Sequence, residues 1–239
     1  MITSPSNDKL TLIRKLAQRK HRGRERLFVA EGEDLVAAAT AAGVEPMALL
    51  CRAGSGLAGD EVEPELLDGV STLGSGTRTI GVYRHAWAME TPQPWIYLAG
   101  ISDPGNVGAI IRSAQALVGG TVAIGPGTAD PYGPKAVRAS MGAIFAQPLV
   151  RADLADTPSP RMALTAHAGT PLADIDERPA TVCLGSERDG LPEGAEQDCE
   201  LHGRIEQRPD AVESLNVAAA AAITMQWLAA GPAAPRTHA

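Results

Sequence analysis

Three short polar segments carry most of the chemistry this sequence could perform. The first is Asp103-Pro104-Gly105-Asn106-Val107-Gly108-Ala109-Ile110-Ile111-Arg112, in which an amide (Asn106) and a permanent cation (Arg112) follow a Gly-rich turn. The second is Leu184-Gly185-Ser186-Glu187-Arg188-Asp189-Gly190-Leu191-Pro192, with the carboxylate of Glu187 between two glycines. The third is Glu213-Ser214-Leu215-Asn216-Val217. Asn106 falls in the strand-to-helix turn and Arg112 further on in the helix, and a polar amide and a permanent cation so placed suit an anionic or hydroxyl-bearing substrate. Asn106 equally suits a turn former or helix N-cap, Ser214 a helix N-cap, and Arg112 a surface ion pair.

The elements that must position these residues follow from apolar patterning. Trp95–Ala99 and Thr181–Leu184 are short continuous apolar runs that read as buried strands, and each enters a Gly-rich turn. Helices are expected over Val107–Leu117, Lys135–Met141 and Ser214–Ala230, and further strands over Thr121–Gly125, Phe145–Val150 and Arg161–Ala166. This alternation predicts a mainly parallel sheet with helices on both faces, and such sheets bind ligands beyond the carboxyl ends of their strands. Before it, a helix from Asn7 or Asp8 to about Arg19, strands Leu27–Ala30, Met47–Cys51 and Thr79–Arg84, and helices Glu33–Ala42 and Glu63–Gly69 predict a small α/β domain. Arg52–Gly59 reads as a loop, and His85–Pro94, with Pro92 and Pro94, as a linker. The expected division is residues 1–90, residues 91–232 and a disordered tail, 233–239.

The three segments, in this order, resemble the motifs of the SpoU (TrmH-like) family of RNA ribose 2'-O-methyltransferases of the SPOUT superfamily. Pro134-Lys135-Ala136-Val137-Arg138-Ala139-Ser140-Met141-Gly142-Ala143 resembles a further segment common in that family. The resemblance implies a SPOUT-type catalytic domain at 91–232 with a deep trefoil knot formed by the second and third motif regions. It implies a ribosomal-protein-like RNA-binding domain at 1–90, for which Phe28-Val29-Ala30-Glu31-Gly32 is the local signal. It also implies S-adenosyl-L-methionine as cofactor and a homodimer whose interface lies beside the cofactor site. Arg112, Asn106, Glu187, Ser214 and Asn216 become the expected catalytic set, and Leu184, Gly185, Gly190, Ile205, Ser214, Leu215 and Asn216 the cofactor-binding set. Arg112 matches the family's catalytic arginine. A guanidinium rarely gives up its proton, which favours electrostatic stabilisation of the ribose oxygen over a general-base role. Arg138 and Lys135 are expected on RNA phosphate; an exposed helix face explains them equally well.

Two departures stand out. Where the family has an Ile-Pro-Met-like segment, this chain reads Ile205-Glu206-Gln207-Arg208-Pro209, with one extra residue before Ser214. The first-motif helix also ends in Leu117-Val118-Gly119-Gly120 without an aromatic. A more polar cofactor pocket is therefore expected.

Charge distribution bears on the partner. The net charge of −7 argues against nucleic acid when taken alone. Residues 1–30, however, hold eight basic side chains against two acidic ones, a local excess of six. Lys9, Arg14, Lys20 and Arg22 are the expected RNA contacts there, a solvated helix face being the plainer alternative. Three widely spaced cysteines and five scattered histidines show neither a disulfide framework nor metal-ligand spacing, so no metal is expected. No stretch of about 20 strongly apolar residues is present, and Met1–Lys15 has no apolar signal core, so a cytoplasmic protein with no membrane partner is expected.

The expected activity is methyl transfer to a ribose 2'-hydroxyl of structured RNA, 23S ribosomal RNA above transfer RNA. A non-catalytic RNA- or ribosome-binding protein of the same fold is the main competitor. A dinucleotide-dependent oxidoreductase fits poorly, because Ile124-Gly125-Pro126-Gly127-Thr128-Ala129 lacks the third glycine.

Overall fold

The structure is a computed structural model, and it describes residues 1–74, 76–186, 188–208 and 214–231. The chain divides into two compact units, one built from 1–86 and 130–146, the other from 87–129 and 147 onward.

The first unit holds α1 (Asp8–Leu16), α2 (Arg19–Glu25), β1 (Leu27–Glu31), α3 (Glu33–Ala41), β2 (Ala48–Arg52), β3 (Asp60–Val62), α4 (Pro64–Asp68) and β4 (Thr79–Arg84). The second opens with β5 (Trp95–Leu98), α5 (Pro104–Leu117) and β6 (Thr121–Ile124). The chain then contributes α6 (Pro134–Ala139) to the first unit and returns for β7 (Leu149–Arg151), β8 (Arg161–Thr165), β9 (Thr170–Pro171), β10 (Thr181–Leu184), β11 (Leu201–Arg204) and α7 (Val217–Ala229).

In the first unit the sheet order is β1-β4-β2-β3, antiparallel except for β2 with β3. The strand period of two sorts its side chains. Val29, Leu50, Ile80 and Val82 join Leu10, Ile13 and Leu16 of α1 and Leu67 of α4 in one core. Phe28 and Tyr83 join Tyr132 and Phe145 in an aromatic cluster, with ring centroids 4.8–5.9 Å apart. That cluster, and the stacking of Tyr132 on His85 at 4.1 Å, bind 130–146 into this unit.

Three local differences from the sequence reading have physical causes. One helix to about Arg19 was expected, but α1 stops at Leu16 and α2 begins at Arg19. Arg22 Nη1 donates to the carbonyls of Leu16 (2.8 Å) and Ala17 (2.9 Å), supplying donors that the end of α1 otherwise lacks. β3 falls where only charged loop sequence was visible, and its charges suit a sheet edge. Phe145 ends a 3-10 turn, so the strand expected over Phe145–Val150 begins only at Leu149.

The second unit is a seven-stranded sheet ordered β7-β6-β5-β10-β8-β11-β9, parallel throughout. Burial on both faces explains why β5, β6 and β10 read as unbroken apolar runs. β9 and β11 escaped the sequence reading because they lack that signal: only Gly203 of β11 is buried. Helices on both faces were expected. Instead, α5 packs on β6 and α7, while the face bearing Tyr97, Ala123, Ala163 and Cys183 is covered by Leu191, Cys199, Leu154 and Ala195 from turns and loops. Among the described residues, no helix is long and apolar enough to cross a membrane.

Candidate active site

β10 lies between β5 and β8, although β6, β7, β8 and β9 intervene in the chain. This order places a topological switch at the centre of the sheet, where ligands bind beyond the strand carboxyl ends. A cavity of about 560 Å³ opens there, within the size range of cofactor sites. Leu184, Gly185 and Gly190 from the end of β10 line it, with Ile205 past β11 and Ser214 and Leu215 before α7.

The loop after β10 is held shut on itself. Ser186 N donates to Gly190 O (2.8 Å), Gly190 N donates to Ser186 O (3.0 Å), and Asp189 N donates to Ser186 Oγ (3.0 Å). Gly190 has φ +68°, which favours glycine. A Cβ on Gly185 would overlap the carbonyl of Gly190 and the amide of Leu191, so glycine is required for the loop to close. Glu187, expected in the catalytic set, lies outside the described residues.

The first and third segments meet directly. Asp103 caps α5, its Oδ1 accepting from Gly105 N at 2.7 Å, and Pro104 takes the first helical position. Asn106 therefore sits inside the first turn rather than capping it. Asn216 caps α7, its Oδ1 accepting from Ala218 N (2.9 Å) and Ala219 N (3.3 Å). Ser214, the expected cap, stands two residues earlier and lines the cavity instead. Asn216 Nδ2 donates to Asn106 Oδ1 at 3.1 Å, joining residues 110 apart in the chain. Neither asparagine lines the cavity. Arg112 is exposed, about 9 Å along α5 from Asn106 at the helical rise, and lies outside the cavity lining.

Several lining residues were not anticipated: Leu164 to His167 at the end of β8, Arg188 and Glu196, together with Val217 and Ala220 of α7. The strand Arg161–Ala166 was legible, and the rule that sheets bind beyond their carboxyl ends would have singled out its last residues. Of the two departures after Ile205, Glu206 is exposed and outside the cavity, whereas Gln207 lines it. Cys183, one residue before Leu184, is a buried core thiol. Hydrogen bonding with Cys199 and burial hold it far above the ordinary thiol range, so it stays neutral.

The expected RNA contacts divide. Arg22 is a correction: it is 5% exposed, and its Nε and Nη2 donate to Asp130 Oδ2 at 2.9 and 2.8 Å. Its remaining nitrogen serves the end of α1, so its guanidinium is committed internally. Lys9 pairs with Asp60, and Arg14 Nη1 donates to Pro5 O at 2.7 Å. Lys20, Lys135 and Arg138 are exposed, the last two on α6 of the first unit. Among the described residues, no group of three His, Cys, Asp or Glu side chains could hold a metal ion.

The sequence model of the SpoU rRNA Methylase family matches residues 93–226, the stretch that contains this cavity and the Asn106–Asn216 contact. The chain belongs to that family. Ahead of this SpoU domain, residues 7–93 match the MRM3-like substrate binding domain. A 23S rRNA (uridine(2479)-2'-O)-methyltransferase of Streptomyces viridochromogenes is 33% identical over 134 residues, 50% of this chain and 46% of that protein. The 23S rRNA (guanosine(2553)-2'-O)-methyltransferase RlmP of Bacillus subtilis is 31% identical over 151 residues, 59% of each. The chain spans about half the length of the curated relatives it matches. The structure of an AdoMet-bound rRNA methyltransferase from Sinorhizobium meliloti is similar at a TM-score of 0.81 and 27% identity, covering 95% of this chain and 96% of that one. The seven-stranded parallel sheet of this SpoU chain is thus of the SPOUT methyltransferase type.

Proposed function

We propose that this chain transfers a methyl group from S-adenosylmethionine to a ribose 2'-hydroxyl of structured RNA, with 23S ribosomal RNA as the favoured substrate. The observation that carries this reading is the cavity at the carboxyl ends of β8 and β10, bordered by the segment that leads to the Asn106–Asn216 contact. The two curated relatives above act on different nucleotides of 23S rRNA, which supports the RNA class and leaves the nucleotide open.

The residues present fit the cofactor. The cavity combines apolar walls from Leu184, Ile205 and Leu215 with the backbone of a loop that Gly185 allows to close, a surface suited to a purine nucleoside. When bound, S-adenosylmethionine supplies a methyl group on a positively charged sulfur. Leu184, Gly185, Gly190, Ile205, Ser214 and Leu215 would hold it. In this reading, Asn216 fixes Asn106 across the two helices. Arg112 holds a target phosphate and stabilises negative charge on the ribose oxygen as its proton departs. A guanidinium does not act as the base, so that proton passes to phosphate or water. Ser214 and Glu187 complete the proposed catalytic group.

The same reading assigns residues 1–90 to RNA binding through Lys9, Arg14, Lys20, Lys135 and Arg138, the last two supplied by the later segment, and 91–232 to catalysis. It includes the trefoil knot and a homodimer; the exposure of Arg112 outside its own chain's cavity lining supports completion of the site by a second copy.

The test is transfer of labelled methyl from S-adenosylmethionine to unmodified ribosomal and transfer RNA pools, with cofactor binding followed by calorimetry. Label is expected in ribosomal RNA, falling about a hundredfold or more in Arg112→Ala while cofactor affinity holds. Label in transfer RNA alone would overturn the substrate. Absence of both label and cofactor binding would overturn the enzyme reading and favour an RNA-binding protein of the same fold.

A further inference from the structure

The cavity wall after β11 carries a polar residue that the rest of the site does not use. Gln207 lines the cavity, yet its Oε1 is buried and has no hydrogen-bond partner among the described residues. A buried amide oxygen left without a donor is costly and uncommon in folded proteins, so its persistence points to a donor supplied from outside the chain. Ile205, Leu184 and Gly185 line the same cavity and offer the apolar surface that a purine requires. A neutral amide oxygen matches a neutral amino group. A charged ammonium is better matched by a carboxylate, and Glu196 lines the same cavity.

We propose that Gln207 reads the 6-amino group of the cofactor's purine by accepting a hydrogen bond from it, and so sets adenine specificity in this chain. The inference rests on the cofactor reading above. It also explains how this chain accommodates polar residues where the family it resembles has an Ile-Pro-Met-like segment: of the two, Glu206 is exposed and only Gln207 lines the cavity. A site that hydrogen-bonds a substrate group discriminates strongly against an analogue lacking it, because the protein's own buried group is then left unpaired.

The test uses the full chain and two uncharged-sulfur probes, S-adenosylhomocysteine and its 6-deamino analogue, in which hydrogen replaces the 6-amino group and leaves nothing for either end of the Gln207 amide to bond. Dissociation constants are measured by calorimetry for the native protein, Gln207→Met and Gln207→Glu, with circular dichroism to confirm folding. The native protein should favour the adenosyl probe. Gln207→Met should narrow that preference by about tenfold or more, through loss of adenosyl affinity. Gln207→Glu, which keeps an acceptor, should retain the preference. An unchanged ratio in Gln207→Met, or a preference lost in Gln207→Glu, overturns the role of Gln207 while leaving the cofactor reading in place. Should Gln207→Met fail to fold, the outcome with Gln207→Glu decides alone. Failure of the native protein to bind either probe overturns the cofactor reading and the proposal with it.

Discussion

Arg22 illustrates how far a residue type underdetermines a residue's role. In sequence it is one of eight basic side chains between Lys9 and Arg26. In the structure three of its nitrogens are spent on Asp130 and on the carbonyls ending α1. It therefore does two structural jobs, terminating a helix and anchoring 130–146. Asp130 is 12% exposed at its side chain, so removing the guanidinium leaves a nearly buried charge without its partner. Arg22→Ala should destabilise the first unit by about 3–5 kcal/mol, measured as a lower urea midpoint. Arg22→Lys should recover little of it, because one ammonium cannot reproduce the planar fork. A loss of RNA affinity with stability intact would instead return Arg22 to the RNA contacts. Asn106, Arg112 and Asn216 were grouped through the family that their segments resemble, and the structure brings Asn106 and Asn216 into contact. That Asn216 rather than Ser214 caps α7 was not legible, since both are good caps and only the path of the chain chooses between them.

The elements were legible where burial is two-sided or periodic. β5, β6 and β10 announce themselves as apolar runs, and α5 by Ile110, Ile111 and Ala114, although it begins at Pro104, three residues before the expected Val107. β11, with exposed His202 and a single buried glycine, offers no pattern and exists because β8 presents an open edge to pair with. The same scale governs the loop after β10. Gly185 sits where the returning backbone of Gly190 leaves no room for a side chain. Gly185→Ala should force the loop open and lower affinity for S-adenosylhomocysteine by at least about tenfold, a loss of about 1.4 kcal/mol. Since β10 itself ends at Leu184, the far-ultraviolet dichroism should stay unchanged. Full affinity in that variant would show that the loop does not contact the ligand.

For the whole molecule, the net charge of −7 and the basic opening segment make opposite predictions about RNA. The structure narrows the basic set: Arg22 is buried, Lys9 is paired with Asp60 and Arg24 with Glu25. Lys15, Arg19 and Lys20 are exposed and enter none of the ion pairs found among the described residues. If they meet phosphate, replacing all three with Gln should weaken binding to a ribosomal RNA fragment evenly across sequences. It should also lower the slope of log K against log salt by about 2–3, near 0.7–0.9 per contact. An unchanged slope would move the RNA footprint off this face.

What the sequence by itself determined is local: the strands buried on both faces, the glycine turns that follow them, the polar residues in those turns, and the family that their order signals. These are readable because backbone geometry and burial impose short periods and fixed turn chemistry on neighbouring residues. The tertiary structure alone decided which distant residues meet. It joined Asn106 to Asn216, placed 130–146 with the first unit, took Arg22 out of solvent and turned Gln207 but not Glu206 toward the cavity. Each of those outcomes depends on what lies across a strand, helix or cavity wall rather than along the chain, and no short-range pattern encodes that neighbour.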